Sequence, residues 1–60
     1  MKVIDLMKVL YLTTEIEFFN SSGKPSRFCE DILDIPAEFW YREIDQISTS
    51  EEGILEILLK

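Results

Sequence analysis

The carboxylates are the first side chains whose spacing bears on chemistry. Asp31, Asp34 and Glu38 stand close enough in sequence to approach one another, and Glu51 and Glu52 sit side by side before Gly53. Oxygen ligands of this kind suit Mg²⁺ or Ca²⁺, yet the ordered Asp-x-Asp-x-Asp-Gly loop of an EF-hand is missing. Two carboxylates also catalyse hydrolysis where a cleft raises one pKa and holds a substrate. Sixty residues leave little room for such a cleft. The five acids therefore read as solvated, capping or partner-contacting groups, with no metal and no cofactor expected.

Phe39-Trp40-Tyr41 is the second cluster. Three consecutive aromatics cannot all turn inward from one short helix, so at least one should reach solvent. Trp and Tyr are favoured anchors in protein interfaces, which adds Trp40 and Tyr41 to the candidate partner-binding residues. The plainer role for Phe39 and Trp40 is to close the open end of a small core.

Cys29 is the third candidate. A nucleophilic thiol needs a base or a cationic neighbour to form thiolate. The chain has no histidine, Glu30 and Asp31 oppose ionisation, and Arg27 is the only local cation. Ser21, Ser22 and Ser26 lack a base as well, and the isolated Gly23 and Gly53 make no phosphate-cradling loop. No enzymatic activity is expected.

Composition narrows the partner. Six Lys and Arg against twelve Asp and Glu leave a net charge of −6. Direct nucleic-acid binding, which draws its affinity from cations on phosphates, is not expected. The acidity is also uneven: from Glu30 to Glu56, Arg42 is the one cation against nine carboxylates. A rigid scaffold carrying that charge can meet a basic groove that otherwise holds phosphates, in the manner of a nucleic-acid mimic. The same charge also keeps a small protein in solution.

These residues need elements to hold them. Val3, Leu6, Met7, Leu10 and Tyr11 fall at i, i+3, i+4, i+7 and i+8, which predicts a helix ending near Leu12. From Thr14 the period becomes two, with Ile16 and Phe18 on one face of a strand. Asn20-Ser21-Ser22-Gly23 is a hairpin turn, and the returning strand runs from about Pro25 to Glu30. Pro25 belongs at a strand start or on an edge, and Arg27 is expected across from Glu15 or Glu17. Asp34 as N-cap and Pro36 in the first turn predict a short helix from about Ile35 to Tyr41. Arg42–Ser48 reads as a strand whose Ile44 and Ile47, three apart, call for a bulge. After a polar loop ending at Gly53, Ile54–Leu59 is the last strand, apolar on both faces.

The expected fold class is α+β, as one small domain over residues 1–60. The N-terminal helix packs on a four-stranded antiparallel sheet in the order α-β-β-short α-β-β. Ile16, Phe18, Phe28, Ile44 and Leu55 or Ile57 should meet the helix stripe. Phe19, Ile54 and Leu58 are left on the other face. A chain this short is marginally stable alone, and its single cysteine and lack of a zinc-ligand pattern exclude two of the usual reinforcements. A homodimer through Phe19, Ile54 and Leu58 is the expected remedy. No segment is long and apolar enough to span a bilayer. Asp5 and Lys8 interrupt the N-terminal apolar stretch, so no signal peptide is read there and a cytoplasmic protein is expected.

The layout resembles that of very short proteins from bacteriophages and mobile elements of Gram-positive bacteria. The residues that carry the resemblance begin with Lys2-Val3-Ile4-Asp5-Leu6-Met7 and Ile16-Glu17-Phe18. Gly23, Asp34-Ile35-Pro36, Ile44, Ile47 and Ile54-Leu55-Glu56-Ile57 continue it along most of the chain. The resemblance implies a phage or mobile-element origin, action in the host cytoplasm and no catalytic residues. Inhibitors of bacterial defence systems recur among such proteins, so the expected function is binding and inhibition of a host protein. The alternative is an antitoxin-like module that neutralises a basic partner.

Overall fold

Ile16 and Phe18 in one segment, and Ile57 and Leu59 in another, put large apolar groups on one side of an extended backbone. All four are essentially inaccessible to water in the computed structural model, which describes residues 1–60. Around them lie helix α1 (Val3–Met7) and strands β1 (Ile16–Phe19), β2 (Pro25–Cys29), β3 (Ile44–Thr49) and β4 (Leu55–Leu59). Two single 3-10 turns, Ile32–Asp34 and Ala37–Phe39, occupy the connection between β2 and β3. No helix is long and apolar enough to cross a membrane.

The sheet order is β2-β1-β4-β3, with β1 and β4 parallel and the two outer pairs antiparallel. The expected all-antiparallel sheet is thus wrong. Each hairpin forms, but the two join through their most apolar strands rather than in chain order. Placing β1 and β4 at the centre buries Ile16, Phe18, Ile57 and Leu59, while the mostly exposed β2 and β3 take the edges. A meander in chain order would put those two polar strands in the middle and the apolar ones at the rim. The cost is a crossover between the hairpins, because parallel neighbours cannot be joined by a tight turn.

That crossover changes the lid over the core. Ile35 and Phe39 join Val3 above the sheet, with Leu6, Met7, Leu10, Ile32 and Trp40 packed around them. Phe39 meets Phe18 edge to face at a centroid distance of 5.0 Å, and the Arg42 guanidinium lies 5.8 Å from the Phe39 ring. The N-terminal helix is therefore not the sheet's sole cover, and it stops at Met7 rather than Leu12. Its first N–H groups are taken by Arg42 and Trp40 carbonyls at 3.0 and 2.8 Å, which ties it to the crossover. Beyond it Val9 (78% exposed) and Tyr11 (87%) point to water, so Tyr11 does not continue the buried stripe.

Other local expectations are corrected by the same geometry. The helix expected over Ile35–Tyr41 is split, because Ile35 is extended (ψ 117°), the conformation favoured before proline. Asp31, not Asp34, is the cap: its carboxylate accepts from the Leu33 and Asp34 N–H groups at 2.9 and 3.2 Å. Arg27 lies opposite Phe18 instead of Glu15 or Glu17, and Phe28 lies opposite Glu17. Phe28 consequently leaves the core and is 44% exposed. A register irregularity between Ile44 and Gln46 lets Ile44 and Ile47 pair with Leu59 and Ile57 on one face.

Candidate functional site

Every element outside the sheet lies on one side of it, and the molecule is only 16 Å thick along its shortest axis. That is room for one sheet and one overlying layer. The second face of the sheet is left open. Because side chains alternate, it receives the residues between the buried ones, and the register arranges them in two rows across the four strands. One row is Phe28, Glu17, Glu56 and Ser48; the other is Pro25, Phe19, Leu58 and Gln46.

The apolar members of this face stand in both rows. Phe19 and Leu58 are register partners on the central parallel pair, both half-buried, and Phe28 flanks Glu17 on the edge strand. Between the second row and the β1–β2 turn lies a depression of about 210 Å³, lined by Phe19, Gly23, Gln46, Ser48, Glu56 and Leu58. It is below the ~300–1,000 Å³ typical of small-molecule sites and nearer the scale of one inserted side chain.

Glu17 and Glu56 are also register partners, so two carboxylates stand next to each other on neighbouring strands. Neither meets a cation of this chain: the single ion pair joins the Met1 amino group to Glu43 at 3.2 Å. Ser48 Oγ donates to Glu56 Oε1 over a long 3.5 Å.

The candidate residues drawn from the sequence fall in three places. Asp31, Asp34, Glu38, Trp40 and Tyr41 belong to the crossover on the covered side. There Asp31 is occupied as a cap, Trp40 is half-buried with Nε1 donating to the Ile35 carbonyl at 3.2 Å, and Tyr41 is 67% exposed. Glu51 and Glu52 stand exposed in the β3–β4 turn, away from that group in the chain's layout. No three Asp, Glu or Cys side chains come together in a metal-holding arrangement. Phe19 and Leu58 do come together on the open face, and Ile54, half-buried, precedes β4 with its N–H on Ser50 Oγ at 3.1 Å.

Cys29 is fully buried beside β1, opposite Ile16. Burial pushes its thiol pKa up, and the nearby Arg27 only partly opposes this. The thiol is therefore held protonated at neutral pH, without the thiolate a nucleophile requires.

None of Glu17, Phe28 and Glu56 is a candidate site residue from the sequence, which places Phe28 in the core. Strand alternation already marks Glu17 and Glu56 as facing away from the core. Their adjacency exists only once β1 and β4 pair in parallel. Comparison with known protein families, with curated proteins and with solved structures returned no match.

Proposed function

We propose that this chain is a non-enzymatic interaction protein that binds a protein partner through the open face of its sheet. The observation that supports it best is the adjacency of Phe19 and Leu58, with the 44%-exposed Phe28 in the neighbouring row, on a face covered by no element of the chain. Soluble proteins commonly use such apolar surface for binding. In the setting that the resemblance to short phage proteins implies, the partner is a bacterial host protein whose activity is blocked by occlusion. Glu51 and Glu52 in the β3–β4 turn, with Asp31, Asp34 and Glu38 on the covered side, add negative charge that speeds encounter with a basic partner at longer range, outside the contact itself.

The test is capture from a bacterial lysate with the tagged chain and with two variants, Leu58→Glu and Phe28→Glu. A partner retained by the wild type and lost by both variants, with circular dichroism unchanged, is the expected result. Equal retention by the variants overturns the assignment to this face.

A further inference from the structure

We propose that the occupant of the open face is a cationic protein segment that sets an arginine between Glu17 and Glu56 and covers Phe19, Phe28 and Leu58 with its apolar side chains. This rests on the reading of that face as a partner-binding surface and adds the chemistry of the partner. Strands in a sheet lie ~4.8 Å apart, and residues in register project to the same side. Glu17 and Glu56 are such a pair and have no cation against them. Like charges side by side across strands destabilise a sheet. An apolar partner laid over Phe19 and Leu58 would bury both carboxylates unpaired, at a cost well above what the apolar contact returns. The covering surface must therefore carry positive charge.

Arginine fits better than lysine. Its planar fork donates to two carboxylates at once, and its flat face stacks on an aromatic ring such as Phe28, which pairs with Glu17. The neighbouring depression of about 210 Å³ accepts one further side chain of the same segment. A second copy of this chain is the poorer occupant: face to face, it would set four glutamates together between two molecules of net charge −6. The homodimer expected through Phe19, Ile54 and Leu58 meets that repulsion at its centre.

The experiment is an NMR titration of the isotopically labelled protein with a short peptide alternating arginine and leucine. The same peptide with citrulline in place of arginine is the uncharged control. Amide shifts concentrated at Glu17, Phe19, Glu56 and Leu58 are expected. Affinity should fall at least about tenfold for the citrulline peptide and for the Glu17→Gln/Glu56→Gln double variant. The free double variant should also melt higher than the wild type, since it loses a repulsion. Equal binding of the two peptides, or shifts spread evenly over Asp31, Asp34, Glu51 and Glu52, overturns the proposal. So does an unperturbed face at millimolar peptide, or a dimer in sedimentation that Leu58→Glu splits. If the double variant keeps a lysate partner that Leu58→Glu loses, the arginine inference fails while the docking function stands. If neither substitution affects capture, both fail.

Discussion

Cys29 is the residue whose surroundings most clearly alter its chemistry. Burial raises the thiol above its ordinary value near 9.0, with Arg27 as a partial offset. On unfolding the thiol returns to that ordinary value, so above pH 9.0 the unfolded chain releases a proton that the folded chain keeps. Stability contributed by the buried neutral thiol is present below this pH and is lost as pH rises through the folded pKa. Urea titrations from neutral to alkaline pH should show a falling midpoint, and Cys29→Ala should flatten that fall while lowering the neutral value. An equally steep alkaline fall in the variant would show that other groups cause it. Cys29 was legible as structural from the absence of histidine and its acidic neighbours. The isolated Glu17–Glu56 pair was not, because each residue's neighbour is supplied by a strand nearly forty positions away in sequence.

Among the elements, the two hairpin turns share one design. Asn20-Ser21-Ser22-Gly23 and Ser50-Glu51-Glu52-Gly53 each begin with a side-chain acceptor and end with glycine at φ 84° or 83°. In each, the fourth N–H donates to the first carbonyl, at 2.8 and 3.0 Å. Nothing lies within 4 Å of a Cβ built on Gly53, so Gly53→Ala meets only the backbone cost of a left-handed residue. That cost is about 1 kcal/mol, and chemical denaturation should report it as a lower midpoint with unchanged slope. A neutral result would mean the turn relaxes to another form. Asp31→Ala should cost a similar ~1 kcal/mol through the lost cap, whereas Asp34→Ala should be near neutral. These turns, the bulge after Ile44 and the extended Ile35 are written in local residue chemistry. The length of α1 is not, since Ile35 and Phe39 arrive from a distant segment and share the lid with it.

For the whole molecule, stability depends on a core of nine buried residues. At ~0.05–0.15 kcal/mol per residue, a chain of this size holds about 3–9 kcal/mol in total. Phe18 is fully buried and packs against Phe39, so Phe18→Ala at ~3–5 kcal/mol removes most of that reserve. Circular dichroism at room temperature should find the variant largely unfolded; a cooperative transition close to that of the wild type would contradict the packing. Hydrogen exchange gives a second check on the topology. Amides of β1 and β4, bonded on both sides, should exchange slowest, and those of β2 and the outer part of β3 faster. Slow exchange confined to β2 and β3 would point to a different strand order.

Amino-acid order alone determined where the backbone alternates, where it turns, which side chains have no base beside them and where the negative charge accumulates. These properties depend on neighbours within a few residues. Strand order, the parallel join of β1 to β4, the displacement of Phe28 from core to surface and the meeting of Glu17 with Glu56 belong to the tertiary structure. Local period says which face of a strand is apolar but not which strand lies beside it. That choice is made by the most apolar strands competing for the centre of one small sheet, where each can be paired on both edges at once.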